Sequence, residues 1–489
     1  MFGKGDVAMT NGGIEGGSYK PFSMAQIEML HKASMKVFEE VGMEVHSERA
    51  LEIFAAAGAD VDFSTKRVRA SEDWIMNIVK RAPSQVTLCG REEKNDLILG
   101  GTCVYLGTGG TALNVLDIET GKRRRTTLSD VRQTAKLVDA LDNIHFFVLP
   151  VYPSELSKEN VDINRFYAGI SNTSKHVMGG VYSIEGVRKV IRMAEEIAGS
   201  REALRKRPFI SMITNIMSPL KMDGTYTDLM LEVIEAGIPL ATPPAPISGA
   251  TSPVTLAGTL VQLNVEALSG LMLAQIVNPG TPVLYSVVPT TADMRTMGFL
   301  FGAVENGIMN AVCAQLAQYY NLPIYATAGV TESKIPDVQS GYEKMSTSMM
   351  AALAGANYIH DAGGLIESGL SIAYEQYVID DEINGMVLRA VRGIEINDET
   401  LSLDVIKRVG PGGNYISDEQ TYKYMRTEFF LPRVADRSPV AIWEENGSID
   451  GREKARRIAK DILANHCPNP IDQAIVECLK AENPELVTD

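Results

Sequence analysis

The stretch YIHDAGGLIESGLSIAYEQ, residues 358–376, gathers the side chains of this sequence that are best suited to chemistry. His360 and Asp361 end a short apolar run and are followed by two glycines and a scatter of polar and aromatic residues. A histidine in such a place can bind an anion or donate a proton, and it can equally be a buried ring that bonds a neighbouring backbone group. Which alternative applies depends on the strands and helices that position this stretch.

Eight short β-rich runs alternate with helical segments beyond residue 100, and NYIHD is the last of them. Their starts are 43, 31, 33, 29, 44, 41 and 34 residues apart, which leaves room for one helix and two loops each. The runs are TCVYL from 102, HFFVLPV from 145, HVMGGVY from 176, FISMIT from 209, IPLATP from 238, PVLYSV from 282, PIYATA from 323 and NYIHD from 357. This spacing predicts an α/β fold, with a (β/α)8 TIM barrel as first choice. An open doubly wound sheet is the alternative, although no GxGxxG turn supports it.

The sequence on either side of these runs predicts additions to the barrel. The segment before Ser23 has the composition of a loose tail, and an amphipathic helix then begins that Gly42 should end. We predict an N-terminal tail and helical cap over residues 1–100, the barrel over 101–400, and a C-terminal helical extension packed on the barrel over 401–489. The long apolar segment SPVTLAGTLVQLNVEALSGLMLAQI should be a largely buried helix of the barrel.

Charge and composition exclude several classes of partner. Acidic residues outnumber basic ones by 61 to 46, and the net charge of -15 argues against nucleic acid and anionic membranes. No uninterrupted apolar run reaches the roughly 18 residues that span a bilayer, and the first residues lack a signal-peptide pattern. The five cysteines lack CxxC spacing and the six histidines form no HxH or HExxH pair, so we predict neither disulfides nor zinc. A reducing, cytoplasmic location follows as an expectation.

In a barrel of this kind the chemistry lies where the strands end. Only the eighth strand end, at His360, is rich in ionisable groups, so the pattern indicates no acid–base catalytic residue. The other ends carry small residues that would leave room for a large, mostly apolar cofactor, unless loops elsewhere supply the catalytic groups. The residues predicted to approach such a cofactor are Gly107, Thr108, Gly180, Asn215 and Gly329.

Aromatic and acidic residues near the strand ends could bind a cation. Tyr105 and Tyr374 could offer ring faces to it, although each tyrosine alone would more often be a packing residue. Glu367 could add negative potential, or it could simply head the following helix. Lys334 and Lys221, where a Schiff-base lysine could stand, have the polar surroundings of solvated surface lysines.

Three linked stretches give the chain a family resemblance: AGVTESKIPDVQSGYEKM (328–345), NYIHDAGGLIESGLSIAYEQYVIDDE from 357, and GPGGNYISDEQTYKYMRTEFFLPRVADR (410–437). Together with the helix at SMAQIEMLHKASMKVFEEVGMEV, they resemble the trimethylamine:corrinoid methyltransferase family over most of the chain. The resemblance implies a (β/α)8 barrel that passes a methyl group from an amine to the cobalt of a separate corrinoid protein. The chain is written with the standard twenty residues, so it is similar to the branch of the family that lacks pyrrolysine.

The resemblance to that branch implies a quaternary amine as methyl donor, with glycine betaine the leading candidate and proline betaine, carnitine or γ-butyrobetaine as rivals. It implies that His360, at the eighth strand end, binds the carboxylate of the substrate. The positions of Tyr105 and Tyr374 and the charge of Glu367, rather than the resemblance, suggest that these residues lie near its cation. The implied partners are a cognate corrinoid protein and a second copy of the chain. Two other classes remain open: a barrel lyase or aldolase, which needs a strand-end lysine or metal, and a betaine-binding protein without catalysis.

Overall fold

A computed structural model describes residues 13–488, and it places the eight β-rich runs in one curled sheet. Most of the predicted loose tail, residues 1–12, lies outside the described residues. All eight runs are strands, as predicted. Numbered along the chain, they are β1 (Cys103–Leu106), β2 (Phe146–Val148), β3 (His176–Gly180), β4 (Ile210–Ile213), β5 (Leu240–Ala241), β6 (Val283–Ser286), β7 (Ile324–Thr327) and β8 (Tyr358–His360).

The sheet has the strand order β1-β8-β7-β6-β5-β4-β3-β2, and every neighbouring pair in that order is parallel. A short strand, Ile14–Glu15, pairs antiparallel with the first half of β1. Beyond it the His145 N–H donates to the Leu106 carbonyl oxygen at 2.7 Å, and the Thr108 N–H donates to the Phe146 carbonyl oxygen at 3.4 Å. The predicted α/β class is confirmed, while closure of the sheet into a barrel stays a prediction.

Each strand is followed by a helix that packs outside the sheet. These helices are α1 (Leu128–Asp139), α2 (Val161–Asn172), α3 (Ile184–Ala198), α4 (Gly224–Ala236), α5 (Leu256–Val277), α6 (Val304–Tyr320), α7 (Val338–Leu353) and α8 (Tyr374–Arg392). Helix α5 is long and apolar enough to cross a membrane, and 78% of its apolar window is buried inside the protein. The prediction of a largely buried helix is therefore confirmed, and the apolar sequence of α5 is that of a core helix.

The interior of the curled sheet is filled from the end at which the strands begin. Inward-pointing side chains of the strands, among them Phe146, Met178 and Tyr358, join a hairpin formed by Gln85–Leu88 and Leu97–Gly100 in one apolar cluster. Successive residues of a strand face opposite sides of the sheet, so alternate side chains pack outward against the helices. The hairpin plugs the strand-start end and leaves the strand-end face for a ligand.

The residues before β1 form helices and a small mixed sheet beside α5. The first helix, Met24–Glu40, is capped by Ser23 and stops just before Gly42, as predicted. Helices Glu48–Ala56 and Glu72–Val79 also pack on α5. The sheet consists of Asp60–Asp62, Arg67–Arg69, Met43–Val45 and Lys221–Met222, the last of which comes from the loop after β4.

The residues after α8 form five further helices, and one of them packs closely on the barrel helices. They are Leu403–Val409, Glu419–Tyr424, Val440–Glu445, Gly451–Asn465 and Gln473–Glu482. Gly451–Asn465 lies against α8 and α1. The Glu382 carboxylate on α8 accepts the backbone N–H groups of residues 433–435 at 2.5 to 2.8 Å. This clamp fixes part of the extension, and the boundaries at 100 and 400 stay a prediction.

Buried Glu266 on α5 gives the fold a pH dependence. Its carboxylate accepts hydrogen bonds from the Leu220 N–H at 2.8 Å, the Ser218 hydroxyl at 2.7 Å and the Gln262 amide at 2.8 Å. Burial nevertheless raises the pKa of Glu266 from 4.5 to about 7. The folded chain then binds the proton more tightly than the unfolded chain, so the free energy of unfolding falls as the pH rises through this window.

We expect Glu266→Gln to remove about 3 kcal/mol of this pH-dependent loss between pH 4.5 and 7. The measurement is urea unfolding of both proteins at several pH values. For each protein the free energy of unfolding is plotted against pH, and the difference between the two slopes is the quantity of interest. The difference is needed because burial also raises the pKa of Asp381 to about 6 in both proteins, which adds the same pH dependence to each. Equal slopes in the two proteins would contradict the assignment.

Candidate active site

His360 lies inside the curled sheet at the end of β8, and its ring nitrogens have no hydrogen-bond partner among residues 13–488. Tyr358 faces the interior, and the alternation of a strand turns His360 to the same side. The imidazole stacks on the Tyr325 ring, with centroids 4.2 Å apart and an angle of 23° between the planes. His360 is 5% exposed, so the ring is buried but committed to no backbone group. This excludes the alternative of a histidine that merely bonds its neighbours.

One carboxylate oxygen of Asp361 lies beside this ring and accepts no hydrogen bond from the described residues. Its Oδ1 is 3.0 Å from the Nδ1 of His360, outside hydrogen-bond geometry, while its Oδ2 accepts the Thr327 hydroxyl at 2.7 Å. The backbone of Asp361 has a φ of +71°, a left-handed conformation that is uncommon for a residue with a side chain. Such conformations concentrate at binding sites, where the surrounding structure enforces them.

Gly109, in the loop after β1, lies directly against the His360–Asp361 pair. A Cβ added there would be 2.0 Å from the Asp361 Oδ1, 2.5 Å from the Asp361 backbone nitrogen and 2.7 Å from the His360 Nδ1. Only glycine allows the backbone to approach so closely. The third residue of GTGG is therefore explained by the site beside it.

Aromatic rings form the floor below His360. The Tyr358 ring stacks on Phe146, with centroids 3.5 Å apart, and on Tyr325, with centroids 5.5 Å apart. Burial raises the pKa of both tyrosines well above their usual value, so the hydroxyls stay neutral. The Tyr358 hydroxyl also has no hydrogen-bond partner in the part of the chain that the structure describes. Buried polar atoms are normally satisfied, so this cluster of unpaired groups has the character of a ligand site.

The site combines three capabilities. The His360 ring can donate a hydrogen bond to an anion, the Asp361 oxygen carries negative charge, and the ring faces below attract cations. A small molecule with a carboxylate and an ammonium group matches all three.

The two tyrosines expected beside the cation are not part of this cluster. Tyr374 is the first residue of α8, and its buried hydroxyl donates to the Asp130 carboxylate on α1 at 2.7 Å. Tyr105 lines a cavity with Lys94 and His145 at the end of the sheet where the strands begin. Both placements correct the prediction. Tyr105 lies within β1 rather than beyond its end, and the Tyr374 hydroxyl is turned towards α1.

Glu367 does lie in the loop after β8, but its carboxylate is already paired. Its Oε1 is 3.1 Å from the Arg123 guanidinium, and its Oε2 accepts the Ser371 hydroxyl at 2.5 Å. The Arg123 charge offsets the negative potential that was expected near a cation. The structure therefore favours Asp361 over Glu367 as the carboxylate closest to His360.

The five residues predicted to approach a cofactor differ in accessibility. Gly180 is open, since an added Cβ would meet nothing within 4 Å, and Asn215 is exposed. Gly107 is pressed against the Phe146 ring, and the buried Thr108 hydroxyl donates to the Val148 carbonyl oxygen at 2.7 Å. Gly329 is buried against Ala362. Only the first two could contact a bulky ligand without rearrangement.

Neither lysine required by the lyase alternative faces the site. The exposed Lys334 ammonium donates to the Glu332 carbonyl oxygen of its own loop, at 2.7 Å. Lys221 belongs to the strand that pairs with Met43–Val45. Among residues 13–488 no group of three or more His, Cys, Asp and Glu side chains is placed to hold a metal ion.

Sequence reasoning missed the aromatic floor and Gly109. Tyr325 and Tyr358 lie two residues before the last positions of β7 and β8. Strand alternation alone could have placed them on the same face as Thr327 and His360. The role of Gly109 depends on a contact with a residue 252 positions away and has no local signal.

Comparison with known proteins decides the family. The profile of the trimethylamine methyltransferase family, MTTB, matches residues 8–482. This chain belongs to the MTTB family. The family resemblance noted in the sequence is thereby confirmed, and the protein is a methyltransferase.

Two relatives within this family match over nearly their whole length. The trimethylamine methyltransferase MttB of Desulfitobacterium hafniense (strain DSM 10664 / DCB-2) is 38% identical over 468 residues, covering 96% of this chain and 94% of the relative. The glycine betaine methyltransferase of Desulfitobacterium hafniense (strain Y51) is 32% identical over 464 residues, covering 95% and 96%. Among solved structures, the monomethylamine methyltransferase MtmB of Methanosarcina barkeri is 12% identical, with a TM-score of 0.48 and coverage of 91% and 93%.

Proposed function

We propose that this MTTB-family protein transfers a methyl group from a quaternary amine to the Co(I) of a corrinoid carried by a partner protein. Glycine betaine is the leading donor, and proline betaine, carnitine and γ-butyrobetaine are the rivals. The observation that carries the proposal is the His360–Asp361 pair above an aromatic floor. It offers a donor for a carboxylate beside groups that attract an ammonium ion.

The proposed reaction requires no proton transfer from the His360–Asp361 pair. The carbon–nitrogen bond breaks, its electron pair stays on nitrogen, and the methyl group forms a bond to cobalt through the electron pair of Co(I). A quaternary donor leaves as a neutral tertiary amine, so no proton has to move. A neutral tertiary amine would instead leave as an amide anion, which is a far poorer leaving group. The protein then mainly aligns nitrogen, methyl group and cobalt.

In this proposal His360 donates a hydrogen bond to the substrate carboxylate. Asp361 Oδ1 and the ring faces of the floor attract the trimethylammonium group. The glycine betaine methyltransferase is one of the two relatives described above, and its name agrees with this substrate class. The standard residue set of the chain supports a mechanism without pyrrolysine.

The corrinoid partner is proposed to bind over the strand-end face. The loops there expose several large apolar side chains, which are typical of a protein-binding surface. They are Met217, Val254, Met294, Met297, Phe299 and Leu370, all between 40% and 61% exposed. Gly180 and Asn215 are the residues of this face with room for the approaching corrinoid.

We further infer that the curled sheet closes as a (β/α)8 barrel in a cytoplasmic protein. The two backbone hydrogen bonds between the edges of β1 and β2 support closure. The short N-terminal strand occupies the rest of the β1 edge, which accounts for the absence of a longer ladder there. Five free cysteines and an acidic net charge support the proposed location.

An absorbance assay tests the function. Purified protein is mixed with a Co(I) corrinoid protein and, separately, with glycine betaine, proline betaine, carnitine, γ-butyrobetaine, tetramethylammonium or trimethylamine. Formation of methyl-Co(III) with a betaine supports the proposal and names the donor. Methyl transfer from trimethylamine alone would overturn the quaternary-amine assignment, and no transfer from any amine would leave a betaine-binding protein.

We expect His360→Ala to lower kcat/KM for the preferred betaine by about 10- to 100-fold, because a hydrogen bond to a charged group is worth about 1.5–3 kcal/mol. Turnover of tetramethylammonium, which has no carboxylate, should change much less. His46→Ala is the matched control, since His46 lies in the small N-terminal sheet region and bonds Glu44. An equal decrease in kcat/KM for both substrates would show that His360 does not bind the carboxylate.

A further inference from the structure

Arg165 on α2 is a fully buried arginine that has no part in the site at His360. Its side chain is 0% exposed and reaches from α2 to the ends of β2 and β3. The Nε donates to the Val151 carbonyl oxygen at 3.0 Å, and the terminal nitrogens donate to the Leu149 carbonyl oxygen at 3.3 Å and the Gly180 carbonyl oxygen at 3.4 Å. Burial of a charge is costly unless hydrogen bonds satisfy it. Arg165 thus holds the loops after β2 and β3 in one position.

Arg165 also supports an aromatic pair at the strand-end face. The rings of Tyr152 and Tyr182 meet edge to face, with centroids 5.4 Å apart and an angle of 74° between the planes, and both side chains are half-buried. The guanidinium donates to the Tyr182 hydroxyl at 3.2 Å. The Asp162 carboxylate, also on α2, accepts the Tyr182 backbone N–H at 3.1 Å. Tyr182 is therefore fixed at both ends.

Strand alternation turns both rings towards the interior of the curled sheet. Val148 on β2 and Met178 on β3 belong to the interior apolar cluster. Tyr152 and Tyr182 each follow one of these residues by four positions, an even number, so they face the same side. The chain beyond β2 stays extended, because Val151 forms a parallel β-bridge with the loop after β1.

The aromatic pair stands farther out along the strand direction than His360. The Phe146 and Tyr358 rings stack with centroids 3.5 Å apart, so these positions of β2 and β8 lie at the same depth. His360 is two residues beyond Tyr358. Tyr152 is six residues beyond Phe146, which places it four residues farther out, or about 13 Å of extended chain. Glycine betaine, with one methylene group between its carboxylate and its nitrogen, would not reach from His360 to the pair.

The charge beside the pair disfavours an ammonium group as its ligand. The guanidinium carbon of Arg165 is 5.4 Å from the centre of the Tyr182 ring, and it would repel a second cation on that ring. The Tyr182 oxygen accepts from Arg165, so its own O–H can donate to a further acceptor, and bonds linked in this way strengthen each other. The pair therefore suits a neutral ligand with a broad flat surface and hydrogen-bond acceptors on its rim.

We propose that Tyr152 and Tyr182 contact the corrinoid macrocycle and that Arg165 is the residue that positions them, an inference that rests on the proposed methyl transfer. A corrin ring is broad and nearly flat, and amide groups surround it. Gly180 precedes Tyr182 by two residues on the same face, and a Cβ there would meet nothing within 4 Å, so the macrocycle has room beside the pair. The rings supply apolar contact area, and the Tyr182 hydroxyl donates to an amide carbonyl oxygen. Arg165 acts through Tyr182 and does not touch the corrinoid.

Equilibrium dialysis of the full chain against cob(II)alamin, whose upper face is open, tests the contact without an amine. Tyr182→Phe keeps the ring and removes the hydroxyl, so it should raise the Kd for cobalamin about 3- to 10-fold, the effect of one lost hydrogen bond. The Kd for glycine betaine, measured by calorimetry, should not change. Tyr319→Phe, on α6 and 37% exposed, is the matched control and should change neither Kd.

A double variant tests whether Arg165 acts through Tyr182. If it does, Arg165→Met/Tyr182→Phe should bind cobalamin no more weakly than Arg165→Met alone. If Arg165 only holds the strand ends together, the two increases in Kd should multiply. Thermal unfolding checks that the variants are folded, and Arg165→Lys takes the place of Arg165→Met if the methionine variant does not fold.

Three results would overturn the inference. An unchanged Kd for cobalamin in Tyr182→Phe would exclude the contact, and weaker betaine binding in that variant would assign the pair to the amine instead. Increases that multiply in the double variant would exclude the positioning role of Arg165. A wild type that binds no cobalamin at millimolar concentration would also overturn the inference, whereas the proposed methyl transfer is judged separately, by methyl-Co(III) formation on the corrinoid protein.

Discussion

Gly109→Ala is expected to lower kcat/KM for the preferred amine by more than about 100-fold, the loss that follows when reacting groups are misplaced by about 1 Å. The added methyl group would stand 2.0 Å from the Asp361 Oδ1 and 2.5 Å from the Asp361 backbone nitrogen. The side chain could rotate away, but the backbone nitrogen cannot. The loop after β1 and the His360–Asp361 turn must therefore separate, which opens the binding cluster.

This substitution isolates the steric effect. Gly109 does not have a positive φ, whereas the next residue, Gly110, has a φ of +89°. Alanine can thus adopt the Gly109 backbone, and only the contact with Asp361 opposes it. Gly341→Ala on α7 is the matched control, because a Cβ there meets nothing within 4 Å. The rate of methyl-cobalt formation is measured for both variants. A decrease in kcat/KM of less than threefold in Gly109→Ala would show that activity does not require the close contact between Gly109 and the His360–Asp361 pair.

The positions of the strands could be predicted from the sequence because they depend on local signals. Short β-branched and aromatic runs at regular separations produced all eight strands, and Gly237 ends α4 in a left-handed turn, with φ +75°, as its position after an apolar helix suggests. The start of α1 is also marked locally, because Thr127 precedes the helix and its N–H donates to the Asp130 carboxylate at 2.8 Å.

The environment of each site residue could be predicted less well, because it depends on contacts between distant parts of the chain. His360 was found, since a histidine at the end of the last strand is a local feature. Tyr374 was misplaced because its partner Asp130 is 244 residues away, and the charge of Glu367 is offset by Arg123 on a different loop. Whether a polar atom is left unpaired, as at His360, is decided by all of its neighbours together.

The buried ion pair between Lys344 on α7 and Asp380 on α8 holds the loops that flank the site. The ammonium is 2.9 Å from the Asp380 Oδ2 and also donates to the Gly329 carbonyl oxygen at 2.5 Å. Asp380 in turn accepts the Gly364 N–H at 2.7 Å. One pair thus ties the loop after β7 to the loop after β8, on either side of His360.

Lys344→Met is expected to lower the free energy of unfolding by about 3–5 kcal/mol, because it leaves a buried carboxylate without its counter-charge. Burial already raises the pKa of Asp380, and Lys344 opposes that rise. Without the ammonium the carboxyl takes up a proton more readily, so the loss of stability should be smaller at pH 5 than at pH 8. Urea unfolding at the two pH values measures both effects.

The double variant Lys344→Met/Asp380→Asn distinguishes two causes of the stability loss. One is the loss of the lysine side chain and its contacts, and the other is the buried Asp380 carboxylate left without a counter-charge. The asparagine side chain is neutral, so the double variant should recover part of the stability that Lys344→Met loses and should lose the difference between pH 5 and pH 8. If the double variant is no more stable than the single one, the cost lies in packing around the lysine stem rather than in the carboxylate. The pH dependence of the stability loss relative to the wild type decides between these two causes, since Glu266 and Asp381 titrate in all three proteins and only the ionisation of Asp380 differs between them.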